Sequence, residues 1–415
     1  MSDTLTAHTS PVRDSVLRTV VALRHRFLVQ VVLAYLALRL FTAIVLVIAA
    51  RHQQPVAWTG PHPDYFSMTV LWDGTWYRRI AEHGYPAVLP TDASGALQQN
   101  EWAFYPLFPM MASALMKVTG LGFPVVGSSL ALVLGTVGAG VMGVLLRERL
   151  GAKVALAAVC VYAASPPSPS LQVAYTESLA ILLLCAFLLA LSRERWLVAS
   201  VLALCTGLAR PIALPLGLVA LVAVVLRWRR REREPVSRRD YGSMLTALVS
   251  CGVAGLMWPA IVWWGTGSPS AYTDTMGTWR SSGKVTPFAP WLGMGQYLFG
   301  STVAPIGLAL IAIAFVVVVC GPWARGLGPL LRTWCLGYVL YLGAVLDPWT
   351  SVYRYLLELF PLAAVMVGGA WLNDRDQASR HVMLRTVILV LLGLAWQVWW
   401  VRELWMFVPP VDNPP

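Results

Sequence analysis

The chain has 415 residues, of which 57% are hydrophobic and only 12% charged, with a mean hydropathy of +0.64. A soluble domain carries about a quarter charged residues, so the composition excludes a soluble enzyme and describes a polytopic membrane protein. The net charge of +11 is no sign of nucleic acid, because most of the Arg and Lys fall in short loops between apolar spans, as the positive-inside rule requires. The six cysteines lie in or at the ends of apolar spans and form no CxxC pair. That pattern argues against a disulfide framework or a zinc site and for cysteine as a small hydrophobe.

Residues 1 to 28 form a polar tail with Arg13, Arg18, Arg24 and Arg26, expected inside the cell. The first span, roughly 29 to 50, is expected to be a retained helix, since no small-residue cleavage site follows it. It holds Arg39 near its middle. An arginine there is either functional or a structural partner of another span. Residues 51 to 120 are expected outside, with 103 to 120 as a re-entrant or surface-lying helix, because Pro106, Pro109 and Lys117 suit no full span. Further spans are placed at roughly 124–146, 153–164, 178–192, 196–209, 212–227, 243–264, 301–320, 331–346, 353–372 and 386–402. The run 227 to 239 holds seven arginines and must face the cytoplasm. Residues 265 to 299 form a second outer loop, and 403 to 415 an outer C-terminal tail. The expectation is thus one all-α transmembrane domain, residues 29 to 402, of about eleven helices.

The first outer loop holds the most distinctive stretch. Residues 71 to 85 read Leu-Trp-Asp-Gly-Thr-Trp-Tyr-Arg-Arg-Ile-Ala-Glu-His-Gly-Tyr. As a helix, this run places Trp72, Trp76 and Ile80 on one face and Asp73 and Tyr77 on a neighbouring one. That pattern predicts an amphipathic helix at the membrane interface, with tryptophans among the headgroups and a carboxylate at the surface. Residues 101 to 109, Glu-Trp-Ala-Phe-Tyr-Pro-Leu-Phe-Pro, form a second aromatic, proline-rich stretch. Tyr175-Thr-Glu-Ser178 lies at an outer span mouth, and Arg354-Tyr-Leu-Leu-Glu-Leu-Phe-Pro361 opens a late span.

Together these stretches resemble the Trp-Asp-Gly and Ala-Phe-Phe-Pro-Leu-Tyr-Pro signatures of the PIG-V-like mannosyltransferases. A similar Tyr-Thr-Glu occurs in that family, and the 354 to 361 run resembles a late-span stretch of GT-C enzymes. The resemblance implies a GT-C glycosyltransferase fold. It also implies inverting transfer of mannose from polyprenyl-phosphate mannose to a lipid-linked or glycan acceptor, at the outer face of a plasma membrane. The rival reading is a flippase or transporter of lipid-linked sugars. A transporter places its charges near the bilayer midplane, whereas the candidate carboxylates here are read as interfacial.

Glycosyl transfer needs a base for the acceptor hydroxyl and a cation for the departing phosphate. Asp73 is the expected base, on its helix placement and on the resemblance; an N-capping or solvated aspartate is the plain alternative. Glu101 is the second carboxylate, although it could instead cap the helix that follows. Arg354 and Arg210 are the expected phosphate ligands, since a guanidinium matches phosphate geometry; interfacial snorkelling is the alternative for Arg354. Trp72, Trp76, Tyr77, Tyr105, Tyr175, Glu177 and Tyr355 are the expected substrate contacts. No cofactor is expected, with a divalent cation left as an open alternative that the spacing does not support. His52, His62, Asp64, Asp73 and His83 share a loop but no metal-binding spacing, and no glycine-rich loop for a nucleotide is present. Membrane lipids are the remaining expected partner.

Overall fold

The computed structural model describes residues 11–280, 282–371, 378–407 and 415. Parts of the expected inner tail, of the inner loop after residue 371 and of the outer C-terminal tail lie outside the described residues.

The described chain is all-helical, with two isolated backbone bridges and no strand. In order, the helices are α1 (Pro11–Ala50), α2 (Tyr65–Met68), α3 (Asp73–His83), α4 (Leu107–Thr119), α5 (Phe123–Leu150), α6 (Ala152–Ala163), α7 (Glu177–Ser192) and α8 (Trp196–Gly207). They continue with α9 (Ala213–Arg229), α10 (Arg238–Thr266), α11 (Ala271–Gly277), α12 (Ala289–Cys320), α13 (Gly328–Val345), α14 (Val352–Tyr355), α15 (Pro361–Met366) and α16 (Ala378–Trp400). Among the described residues five helical segments are long and apolar enough to cross a membrane: Arg26–Ala50, Phe123–Leu150, Arg238–Thr266, Ala289–Cys320 and His381–Trp405. Their outward faces remain apolar. Leu40 on α1, Ile311 on α12 and Leu391 on α16 are each more than 60% exposed. An exposed apolar face of this extent needs an apolar solvent.

α4 has 13 residues, about 20 Å at 1.5 Å per residue, well short of a bilayer core of about 30 Å. It lies against α3 and α5, in keeping with a helix that does not cross. The stretch expected as one continuous span over 353 to 372 is instead broken into α14, a 3-10 turn at Leu356–Leu359, and α15. Pro361, which lacks a backbone N–H, stands at the start of α15 and begins a new helix there. Such backbone is tolerable at depth only when protein covers it. The Trp334 indole donates to the Glu358 carbonyl at 2.7 Å and the Tyr338 hydroxyl to the Tyr355 carbonyl at 3.0 Å, fixing the segment to α13.

Small residues let the inner helices approach closely. A Cβ added at Gly207 on α8 would sit 2.5 Å from the Ala254 carbonyl oxygen on α10. The main core joins α5, α6, α7, α8, α9 and α13. A second cluster, with Tyr77, Phe108 and Phe123, lies under α3 and α4.

Arg39 is nearly fully buried in α1. Its guanidinium donates to the carbonyls of Ala163 and Ser168, and to Ser168 Oγ at 3.0 Å. It therefore caps the last turn of α6, where carbonyls lack helical partners. Gln397 on α16 donates to the same Ser168 Oγ at 2.7 Å and accepts from Thr42 at 2.7 Å. The intramembrane arginine is thus a structural brace between α1, α6 and α16.

Candidate functional site

α3 begins abruptly. Trp72, just before it, has φ 58°, a conformation rare for a bulky residue. The reversal sends Trp72 and Trp76 to different neighbours, so the expected shared tryptophan face does not form. The Trp72 indole donates to the Trp405 carbonyl at 2.8 Å, and its ring packs on Trp58 and Phe407. Trp76 stacks on Phe104 at 5.7 Å and meets Trp279 edge-on. Both tryptophans pack against protein, and α3 buries Tyr77, Ile80 and Ala81.

This geometry presents Asp73 to the late segment. Its backbone N–H donates to the Tyr175 hydroxyl at 3.1 Å. Its carboxylate accepts from Arg354 Nη2 at 2.9 Å, across 281 residues of sequence. Arg354 Nη1 donates to Glu177 Oε1, also at 2.9 Å. Glu177 Oε1 in turn stands 3.5 Å from Arg210 Nη2, and Arg210 Nη1 stands 3.6 Å from Glu358 Oε1. The result is an alternating line, Asp73–Arg354–Glu177–Arg210–Glu358, of three carboxyls and two guanidiniums. Only Asp73 reaches solvent appreciably, with its side chain 25% exposed. Burying such charges is costly unless they are paired, and the pairing here is continuous.

Local structure explains each position. Glu177 occupies the first turn of α7, where the helix dipole favours an anion. Arg210 sits in the break between α8 and α9, just before Pro211. Arg354 and Glu358 come from the broken segment, four residues apart. Aromatic rings flank the cations: Tyr175 lies 4.9 Å from the Arg354 guanidinium, and Tyr355 lies 5.0 Å from Arg210. Tyr77 lies beside Tyr175. Burial, then the Glu177 and Asp73 carboxylates, hold its phenol well above the usual range, so it stays a hydroxyl.

The two expected phosphate ligands differ in what they face. All three Arg354 nitrogens are engaged, the Nε donating to the Pro415 carbonyl. Among the described residues Arg210 Nη1 has no hydrogen-bond partner, and Arg210 lines a cavity of about 340 Å³. Tyr105, Tyr272, Tyr338, Tyr341, Tyr355 and Arg280 share its wall with the apolar Leu214, Val285 and Leu346. Leu214 is 75% exposed on the outward face of α9, so the cavity reaches the apolar exterior of the bundle. The loops before α4 and after α10 cover this region together. Tyr105 and Tyr272 share a hydroxyl contact of 3.1 Å, and Asn100 reaches Thr275 at 3.3 Å.

Of the expected site residues, Asp73, Glu177, Arg210, Arg354, Tyr175 and Tyr355 are brought together. Tyr77 stands beside them and Tyr105 lines the cavity. Trp72 and Trp76 support the backbone around Asp73 from other sides. Glu101 is different: among the described residues, no hydrogen bond or ion pair ties it to the charged line. It opens a 3-10 turn whose cap is the Asn100 side chain. Glu358 lies in the Arg354–Pro361 stretch singled out from the sequence, but sequence reasoning gave it no role. Its spacing of four from Arg354 was the available signal, because residues so spaced share a helix face. Among the described residues no group of three or more His, Cys, Asp or Glu is placed to hold a metal ion. No protein-family model matches the chain, and no curated protein is significantly similar to it.

Proposed function

We propose that this chain is an inverting GT-C glycosyltransferase of about eleven membrane segments, a PIG-V-like mannosyltransferase. It transfers mannose from polyprenyl-phosphate mannose to a lipid-linked or glycan acceptor at the outer face of the plasma membrane. The observation that carries this reading is the alternating charged line. One end is the Asp73 carboxylate, a quarter exposed, and the other passes Arg210, in the wall of a cavity that reaches the apolar exterior. A base near solvent and a cation beside an apolar cavity are what transfer from a lipid phosphate requires.

In this mechanism the polyprenyl chain lies in the cavity and Arg210 faces the phosphate. Asp73 takes the proton of the acceptor hydroxyl. The acceptor oxygen forms its bond to the anomeric carbon as the bond from that carbon to the phosphate oxygen breaks. The electron pair leaves with the lipid phosphate, whose charge Arg210 offsets. Arg354 aligns Asp73 and Glu177 through one planar fork.

The test is transfer of labelled mannose by the purified full chain in proteoliposomes holding the polyprenyl donor. Product formation supports the reading. Movement of the donor between leaflets without transfer would replace it with the transporter reading. Orientation is tested with single cysteines at positions 95 and 236 in intact cells. Labelling from outside is expected at 95 only, because the basic run beside 236 belongs inside.

A further inference from the structure

Among the described residues, Trp279 Nε1, Arg280 Nε and Asp347 Oδ2 are buried polar atoms without a hydrogen-bond partner, on an ion pair and on the residue that precedes its arginine. Trp279 and Arg280 are consecutive in the second outer loop. Arg280 Nη1 donates to Asp347 Oδ1 at 3.1 Å, and its Nη2 donates to the Val345 carbonyl at 2.8 Å. The pair is therefore anchored, yet one edge of each partner is unused.

Their place in the molecule matters. Arg280 lines the same cavity as Arg210. The Trp279 ring stands edge-on to Trp76 and to Phe104, each at 5.6 Å, facing the stretch that carries Asp73. The group thus sits between the cavity and the helix of the proposed base, where the transferred sugar must lie.

Its chemistry selects among ligands. Two unused N–H donors call for acceptors, and one unused carboxylate oxygen calls for a donor. An anion answers only the first need and a cation only the second. A hydroxyl answers both, and neighbouring hydroxyls on one ring can meet an anchored guanidinium–carboxylate pair together. The indole adds a flat apolar face of the kind that receives the C–H surface of a sugar. We propose that Trp279, Arg280 and Asp347 form the hexose-recognition subsite of the cavity. This rests on the reading that the cavity takes a polyprenyl-phosphate sugar.

The test compares two lipids on the full chain in nanodiscs: polyprenyl phosphate, and the same lipid bearing mannose. In the wild-type chain the sugar is expected to tighten binding about tenfold, the worth of one or two net hydrogen bonds. Asp347→Asn, outside the residues that line the cavity, should abolish that gain and leave the affinity for sugar-free polyprenyl phosphate unchanged, and Arg280→Lys should abolish the gain. Trp279→Phe, which keeps a ring and loses the N–H, should lose part of it. A gain that survives in both Asp347→Asn and Arg280→Lys overturns the subsite, and so does a wild-type chain with no gain. Equal loss of both lipids in the variants also overturns it, since that marks a structural role. A wild-type chain that shows the sugar gain but never transfers mannose would sink the transferase reading and leave the subsite standing. One that transfers mannose while the variants keep the gain would do the reverse.

Discussion

Two regions bury arginine in an apolar bundle, and they do it with different partners. Arg39 in α1 meets the dipoles of carbonyls and one serine hydroxyl. Arg354 and Arg210 meet carboxylates that reach them from three distant parts of the chain. Carbonyls at a helix end are fixed by the backbone, so the Arg39 node can do little but hold elements together. A carboxylate can exchange a cation for a proton, and a guanidinium can exchange a carboxylate for a phosphate. Burial of an arginine alone therefore says nothing of function, and the kind of partner decides.

The largest expected effect separates the regions by chemistry. Asp73→Asn keeps nearly the same shape but cannot take a proton at neutral pH. Transfer should fall about a hundred- to ten-thousand-fold, with donor binding and folding retained. Asp73→Glu should recover only part of the rate, because its longer reach misplaces the oxygen. Near-normal turnover by the asparagine variant, measured on purified protein, would end the assignment of Asp73 as base.

Next in size is the charged line as a structural unit. Glu177→Gln leaves two buried guanidiniums beside a neutral amide. Removal of one partner from a buried ion pair costs about 3–5 kcal/mol, read as a loss of stability in detergent unfolding. Adding Arg210→Gln should restore part of that loss, since the orphaned cation goes with it. Fully additive losses would show that the two residues are not coupled.

Smaller effects belong to the Arg39 node. Arg39→Met should cost about 1.5–3 kcal/mol, the range for hydrogen bonds to a charged group, while turnover per folded molecule stays at the wild-type level. A selective loss of turnover in this variant would erase the contrast between the regions. The smallest change is Thr42→Val, which removes one hydroxyl, bonded to Gln397 and to the Leu38 carbonyl, and should cost about 1 kcal/mol. The same unfolding measurement checks it.

Some of this was legible in the sequence and some was not. Asp73, Glu177, Arg210 and Arg354 could be picked out because charge in an apolar chain is rare and each lies at a span boundary. Whether Arg39 was functional could not be read, since its partner Ser168 lies 129 residues away and serine and alanine carbonyls have no signature. The reversal at Trp72 was equally hidden: nothing in a tryptophan announces a positive φ, and the helical period wrongly placed it beside Trp76 and Ile80. The break around residue 360 was foreshadowed by Pro361, but hydropathy averages over a single proline. The cavity needs α9, α10 and α13 side by side with the loop that follows α10, and no local pattern encodes that adjacency.

The reciprocal indole contacts near Asp73 bear on how the protein is made. Trp72 donates to the Trp405 carbonyl, and Trp405 donates to the Met68 carbonyl at 3.0 Å. The backbone that aims Asp73 is thus latched by a segment the ribosome adds more than three hundred residues later. Until that segment arrives, the first loop has left the translation machinery without the contacts that set its turn. Nascent chains halted after residue 395 should insert their early helices yet leave residues 65 to 75 open to protease, whereas chains extended through residue 407 should resist. Assembly of the charged line is in this sense a late act of synthesis.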